Sequence, residues 1–428
     1  MADKRLSLLI LGGLVAGVGS GLIVKHLDIP ADWLLNGARF FGELFLRGLF
    51  MLILPLVVPM IITGIQKLAE TEALGQIGTH ALLAILGLTA IAATVGLSIV
   101  LLIEPGKNFP PAELTQLTGS DKPPPATTLS WQAILLSLLP KNPLHEMAMV
   151  FAPGPQQGSL IAVVSFSILF GIALARLPAE ISRPTYQVLE SLFEASQWLL
   201  WHLLKWLGPL GVASLTFPAA LSLGKDIFSL LGRYVGTVVL GLSTQMFIIY
   251  PLFLYFMSRR SPFRTFSLST PALVMAFSSS SSNVTLPVTL RVATERLGIA
   301  PAIARFITTL GATINQNGTA LYEGVTVIFL MQVYGHSPTI GEGVLVVFMA
   351  MLIAIGAAGV PGGSLPLLAG LLPTFGVPAS AIWLIYGIDR LLDMMRTTLN
   401  VYGDLVIATY LHRIYASAHN PRSPDKLA

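Results

Sequence analysis

Residues 81–103 carry no charged side chain over 23 consecutive positions. At about 1.5 Å per residue, a helix of that length crosses the ~30 Å hydrocarbon layer of a bilayer. Comparable apolar runs lie at roughly 7–24, 44–66, 159–177, 194–221, 230–257, 301–331 and 379–411. Composition excludes the alternatives. Charged residues are 11% of the chain and hydrophobic residues 54%, with a mean hydropathy of +0.75, whereas a soluble globule is about 25% charged. With 25 basic against 21 acidic residues, the net charge of +4 provides no nucleic-acid surface. The chain has no Cys, which removes disulfides, thiolate metal sites and Cys nucleophiles. The composition is that of an all-α polytopic membrane protein.

The first apolar run is too long, too Gly-punctuated and too poor in cleavage signals for a signal peptide. Orientation follows the distribution of Lys and Arg near the span ends. With Lys4 and Arg5 inside, the inside segments collect Lys67, Arg176, Arg183, Arg259, Arg260, Arg264 and Arg413. Outside loops balance Lys25 against Asp28 and Asp32, and Lys107 and Lys122 against Glu104, Glu113 and Asp121. Both termini are expected to be cytoplasmic, in a multi-pass protein of the cell (inner) membrane.

Two stretches do not read as spans. Over 266–291, apolar flanks enclose Ser278-Ser-Ser-Ser-Ser282-Asn283 and then Pro287; over 344–373, apolar arms enclose Gly359-Val-Pro-Gly-Gly-Ser364. Non-helical backbone at membrane depth is tolerated only when it is buried in protein or lines a watery cavity. The expectation is two re-entrant hairpins entering from opposite sides, with broken spans or surface loops as the alternative.

Polar residues inside the spans mark the candidate site. In the last span Asp389, Asp393, Arg396, Asn400 and Asp404 fall within about 80° of one another at about 100° per residue, while Arg390 lies about 100° off that stripe. Ionised groups at this depth cost several kcal/mol unless paired or wetted, roughly 2.5–3.5 by insertion scales. So many on one face exceeds what packing needs. The preceding span contains Gly311-Ala-Thr-Ile-Asn315-Gln-Asn-Gly-Thr319. This run favours an unwound segment whose carbonyls suit a hard cation such as Na⁺, with a plain kink as the alternative. Arg396 suits a carboxylate, Asp393 suits an ammonium, and hairpin-tip N–H groups suit an anion. One fixed cation and one fixed anion describe an acidic amino acid. That reading requires Asp393 and Arg396 to face a solute rather than be spent on each other.

At these motifs the chain resembles the dicarboxylate/amino acid:cation symporter family, as a prokaryotic glutamate/aspartate transporter homologue. The similarity runs through Met51-Leu-Ile-Leu-Pro-Leu56, Gly208-Pro-Leu-Gly211, the Ser run to Thr285-Leu-Pro287, Gly311 to Gly324, Gly359-Val-Pro-Gly362, and Gly387-Ile-Asp to Gly403-Asp404. The resemblance implies eight spans plus two re-entrant hairpins in inverted repeats, a homotrimer, and an elevator mechanism. Residues 1–78 (spans 1 and 2) and 105–221 (spans 4 and 5) would form the scaffold, and 79–104 (span 3) with 222–428 the transport domain. By the same resemblance, Arg396 holds the substrate side-chain carboxylate and Asp393 its amino group. Thr397, Asn400 and Thr319 line the polar ends, and Ser281, Ser282, Val360 and Gly362 cradle the main-chain carboxylate. Retention of Asp393 argues against a dicarboxylate carrier, and retention of Arg396 against a neutral amino acid carrier.

The resemblance also implies ion sites. One Na⁺ site would comprise the Gly311, Asn315 and Asn400 carbonyls with the Asp404 carboxylate. A second would lie between the carbonyls of Thr313 and of Ala354, Ile355 and Ala357, with Gln316 in place of the family's Met. The third reads as dismantled, because Asn317 replaces an aspartate while Ile85 and Leu88 replace oxygen ligands, leaving Thr89. Glu323 stands where proton-coupled members carry a glutamate, and charging a carboxylate at that depth is costly; it is the candidate proton carrier. Fewer than three Na⁺ per cycle, with H⁺ as a co-substrate, is the expectation. No organic cofactor is implied.

Other classes fit poorly. Val401-Tyr-Gly-Asp404 lacks the partner motif of an intramembrane aspartyl protease, and the Ser run has no Gly-x-Ser-x-Gly frame. His80, His145 and His202 lie outside the motif-bearing half. A channel does not require a matched Asp and Arg. The chain is expected not to be an enzyme.

Overall fold

The computed structural model describes residues 2–27, 29–30, 32–72, 75–107, 136, 139–150, 158–224, 226–356 and 364–419. Among them the fold is all-α. The helices are α1 (Ala2–His26), α2 (Asp32–Glu72), α3 (Gln76–Ile103), α4 (Pro143–Met149), α5 (Leu160–Arg176), α6 (Ala179–Trp206), α7 (Gly208–Leu223) and α8 (Asp226–Thr244). Helix α8 continues through π-turns Gln245–Ile249 and Leu254–Ser258, which flank Tyr250–Phe253. There follow α9 (Pro262–Ser279), α10 (Ser282–Arg291), α11 (Pro301–Ile314), α12 (Asn317–Val333), α13 (Ile340–Gly356), α14 (Ser364–Leu371) and α15 (Trp383–His419). Among the described residues, three stretches are both long and apolar enough to cross a membrane by length and composition: Asp32–Gln66, Gln76–Ile103 and Ile227–Ser258. The protein is therefore a multi-pass membrane protein.

The helices form two packing groups. Helix α2 packs on α5, α6 and α7, and α7 packs along α1. The α1–α7 contact is close because Gly13, Gly17 and Gly21 present no side chain to Pro209, Ala213 and Phe217; small residues allow such backbone approach in lipid. The second group centres on α12, which packs on α3, α8, α13 and α15, while α9 and α11 also pack on α15. Every residue of α12 is buried, as expected for a helix that is apolar nearly all round. Contacts of α15 with α1 and α7, and of α2 with α13 and α14, join the groups.

Local chemistry sets the breaks. The apolar run 194–221, expected as one span, is divided at Leu207 between α6 and α7. Pro209 has no N–H to continue the ladder, so the chain restarts there. The run 301–331 is divided where Asn315 (φ −86°, ψ 77°) and Gln316 (φ −109°, ψ 50°) leave the helical region, as the Asn/Gln/Gly run predicts. Between α9 and α10 the reversal is made by Ser280 at φ 50°, after which the Ser281 hydroxyl caps α10 by accepting from Val284 N at 3.3 Å. Helices α9 and α10 pack on each other and both touch α15.

Candidate functional site

The α11–α12 break aims two helix ends at α15. Helix dipoles make the C-terminal end of α11 partially negative and the N-terminal end of α12 partially positive. Asp404 lies at the first of these. It is buried, and its Oδ1 accepts from Asn315 Nδ2 at 2.7 Å. Asn315 Nδ2 also approaches the Asn400 carbonyl at 3.5 Å, and among the described residues the buried Asn315 Oδ1 has no hydrogen-bond partner. Gly311 is required by space, because a Cβ there would overlap the Asp404 carboxylate. The structure thus brings Gly311, Asn315, Asn400 and Asp404 together. A carboxylate, a spare amide oxygen and a helix C-terminus make a donor set that fits a hard monovalent cation.

At the start of α12, the Asn400 side chain takes over one of the helix's orphan donors. Its Oδ1 accepts from Gly318 N at 2.7 Å, and its Nδ2 donates to Gln316 Oε1 and, at 3.3 Å, to Thr319 Oγ1. Thr319 in turn donates to Gln316 Oε1 at 3.2 Å. Gln316 is therefore a member of the site that binds Asn400 to α12. Thr397 is buried on the same helix as Asn400.

Two turns earlier on α15 lies the charged cluster. Arg396 is 1% exposed. Its Nη1 donates to Ser364 Oγ at 2.8 Å, and its Nη2 to Asp393 Oδ1 at 2.8 Å and Asp389 Oδ1 at 3.1 Å. The Tyr322 ring lies 3.9 Å from the guanidinium carbon, a cation–π contact strengthened by burial. Arg390, expected off the charged stripe, reaches Asp393 Oδ2 at 3.4 Å. Asp393 and Arg396 are thus paired with each other, against the expectation that both would face a solute. Asp389 at i−7 and Arg390 at i−6 complete a neutral group of two carboxylates and two guanidinia. Burial drives the pairing: a lone charge there would cost several kcal/mol, roughly 3–5.

The remaining residues divide clearly. Thr89 Oγ1 donates to Asn317 Oδ1 at 2.6 Å and to the Ile85 carbonyl at 2.7 Å, so α3 meets α12 at the residues expected to form a dismantled ion site. Asn317 Nδ2 donates to the Tyr250 hydroxyl at 2.9 Å, and that hydroxyl donates to the Leu399 carbonyl at 3.3 Å. Ile85 and Leu88 are buried in the apolar core. Both carboxyl oxygens of Glu323 are buried, and among the described residues they accept no hydrogen bond. Ser281 and Ser282 are buried at the α9–α10 reversal. Thr313 is half-buried near the end of α11 and bonds the Leu310 carbonyl at 2.8 Å. Ala354 packs with Ala93, Ala320 and Ala350, and Ile355 lies in α13. Val360, Gly362 and Ala357 lie outside the described residues.

Sequence reasoning placed Asp389 on the charged stripe but gave it no individual role, and it assigned none to Tyr250, Tyr322 or Ser364. The available signals were polar groups in apolar surroundings: Tyr250 before Pro251 inside a span, and Ser364 closing the Gly-Val-Pro-Gly-Gly run.

Comparison with known proteins agrees with this geometry. The model of the sodium:dicarboxylate symporter family matches residues 6–414. The chain is 32% identical to human excitatory amino acid transporter 2 over 447 residues, covering 93% of this chain and 77% of that protein. It is also 32% identical to rabbit (Oryctolagus cuniculus) neutral amino acid transporter B(0) over 432 residues, covering 93% and 78% respectively. With mouse (Mus musculus) neutral amino acid transporter B(0) it shares 30% over 468 residues, 99% of this chain and 83% of the other. These relatives are animal proteins, so the assignment stands at the level of the family and not of a prokaryotic branch. The family and these relatives are transporters, and this chain is not an enzyme. A match from residue 6 to residue 414 leaves little of the sequence outside it, and the chain belongs to the sodium:dicarboxylate symporter family.

Proposed function

We propose that the protein is a secondary active symporter that takes up an acidic amino acid, L-aspartate or L-glutamate, coupled to Na⁺ and H⁺. The observation that carries this reading is the family match over residues 6–414, with Asp393 and Arg396 one turn apart on α15; because the two are paired with each other at 2.8 Å, a substrate has to displace that pair. A substrate bearing an ammonium and a side-chain carboxylate replaces one ion pair with two, Asp393 to the ammonium and Arg396 to the carboxylate. Loss of the direct pair is then compensated inside the site, where either charge alone would be costly. Ser281, Ser282, Val360 and Gly362 take the main-chain carboxylate, and Thr319, Thr397 and Asn400 line the polar ends. A neutral amino acid would take Asp393 from Arg396 and bring no side-chain carboxylate in exchange, leaving Asp389 as the Arg396 counter-ion, which favours the acidic class over the neutral class named for two relatives.

One Na⁺ binds among Gly311, Asn315, Asn400 and Asp404, and a second between the carbonyls of Thr313 and those of Ala354, Ile355 and Ala357. The Thr89–Asn317–Tyr250 contacts support loss of the third site, since Asn317 supplies no negative charge and its amide is already bonded. Glu323, buried with no hydrogen-bond partner among the described residues, is tolerable there as a neutral acid, which supports its role as proton carrier. The two packing groups support a scaffold (1–78 and 105–221) and a moving transport domain (79–104 and 222–428). That arrangement has eight spans and two re-entrant hairpins, α9–α10 and α13–α14, working as an elevator in a homotrimer with both termini cytoplasmic.

Uptake into proteoliposomes under imposed Na⁺ or pH gradients tests the reading. L-aspartate or L-glutamate should accumulate only with an inward Na⁺ gradient, faster with acid outside, and with fewer than three Na⁺ per substrate. A stoichiometry of three Na⁺ with no pH response rejects the ion assignment. Accumulation of neutral amino acids alone rejects the substrate assignment.

A further inference from the structure

The last turn of α8 and the chain that follows it carry two kinds of exposed side chain. The apolar span Ile227–Ser258 ends immediately before Arg259, where the backbone turns left-handed at φ 49° and leads through Arg260 into α9. Tyr255, Phe256 and Met257 are exposed at the end of the span, and Phe263, at 88% exposure, stands on the first turn of α9. Arg259 and Arg264, both exposed, are interleaved with them. Two further segments are tied to the same place. Arg260 Nη1 donates to the Leu297 carbonyl at 2.9 Å, which holds the turn carrying the exposed Arg296, and Arg413 Nη1 donates to the Met257 carbonyl at 2.7 Å. His412 Nδ1 accepts from Ala300 N at 3.1 Å and links α15 to the start of α11.

Among the described residues, Arg259, Arg260, Arg264, Arg296 and Arg413 form no ion pair with a carboxylate. The acidic residue in these stretches, Glu295, lies 4.0 Å from Arg291. Like charges gathered at one span end repel unless an anion is placed among them. We propose that this surface binds the phosphate of an anionic phospholipid, whose acyl chains cover the exposed apolar side chains beside it. Arginine presents a planar fork of donors that matches phosphate oxygens. Basic residues next to a span draw anionic headgroups, and a ring such as Tyr255 suits the boundary between headgroup and hydrocarbon. Free phosphate would answer the guanidinia but leave Phe256, Met257 and Phe263 uncovered, so the occupant is a lipid. On the topology proposed above, it belongs to the cytoplasmic leaflet. The inference does not depend on the substrate assignment.

The test titrates the full chain in detergent with phosphatidylglycerol and with phosphatidylcholine of the same acyl length, and reads bound lipid by native mass spectrometry. Wild type should bind phosphatidylglycerol with a Kd lower by about tenfold or more. The variant Arg259→Asn, Arg264→Gln, Arg296→Gln should bring the two lipids to within about twofold of each other. Asn is chosen at position 259 because it tolerates the left-handed conformation, and Arg260 and Arg413 are kept because they also hold carbonyls. Lysine at the same three positions preserves the charge and should preserve the preference. Should the triple variant not be recovered folded, Arg264→Gln alone should lower the preference by about fivefold. Equal affinity for both lipids in wild type, or a preference that survives removal of the three charges, overturns the inference. A preference lost equally in the lysine variant assigns the loss to packing and overturns it too. Displacement of phosphatidylglycerol by glycerol 3-phosphate at equal concentration would mean that the surface reads phosphate alone, and the lipid assignment fails.

Discussion

Two buried polar clusters flank the α11–α12 break, and they have opposite character. Around Asp404 there is a carboxylate, an amide oxygen on Asn315 with no partner, and a helix C-terminus. Asn317 itself carries no charge, and its amide is used on both sides, its oxygen by Thr89 and its nitrogen by Tyr250. Both clusters are equally dry, so burial does not distinguish them. What does is spare acceptor capacity combined with negative charge. A cation needs oxygen lone pairs that nothing else has claimed and a countercharge to offset its lost hydration. The first cluster has a carboxylate of its own among its oxygens, and the second is built from neutral side chains.

The sharpest break of this comparison is Asp404→Asn. Removing a unit charge about 4 Å from a cation costs about 4 kcal/mol at an effective dielectric of 20, or about a thousandfold in affinity. The Na⁺ concentration for half-maximal uptake should rise beyond the measurable range. A half-saturation within about tenfold of wild type would remove Asp404 from the ion site. Gly311→Ala is the next largest. Its methyl overlaps the same carboxylate, and overpacking of this kind costs about 1–3 kcal/mol, so Na⁺ dependence should weaken about ten- to hundredfold. Gly324→Ala is the control. There an added Cβ meets only the Ala93 carbonyl, at 3.6 Å, and Na⁺ titration should be unchanged.

The break itself was legible in the sequence, because clustered Asn, Gln and Gly are poor helix formers in an otherwise apolar run. The charged stripe of α15 was equally legible from helical periodicity. Arg390 was not. Periodicity places the Cα, but a long side chain swings its guanidinium around the helix to an i+3 carboxylate. Ser364 on Arg396, 32 positions away, and Tyr250 on Asn317, 67 away, depend on which helices pack together, and local pattern carries no such information. The same limit explains the pairing of Asp393 with Arg396. Sequence shows that opposite charges share a face, while their partner choice is fixed by the dryness of the assembled bundle.

Asn317→Asp tests whether charge alone separates the two clusters. The new carboxylate would face the Thr89 and Tyr250 hydroxyls, but Ile85 and Leu88 supply no side-chain oxygen. Thermal stability should fall at every Na⁺ concentration, by several kcal/mol, roughly 3–5, for an unpaired buried charge, with no Na⁺ added to the transport ratio. A gain of one Na⁺ per cycle would instead mean that the second cluster is an ion site lacking only its anion.

The smallest effect is expected from Thr89→Val, a near-isosteric change that removes the donor to Asn317 Oδ1. The orphaned buried acceptor should cost about 1–3 kcal/mol of stability, read as a lower unfolding midpoint in detergent. Because the Asn317 cluster is assigned to packing and not to ion coordination, the Na⁺ half-saturation should stay at the wild-type value. Tyr250→Phe removes the acceptor on the other side of the same amide. The two losses should couple in a double-mutant cycle by about 0.5–3 kcal/mol, since both act on one side chain. Stability loss without a shift in Na⁺ dependence separates a hydrogen-bonded joint between helices α3, α8 and α12 from a coordination shell. A shift in Na⁺ dependence from either variant would reunite the two clusters as parts of one ion-binding region.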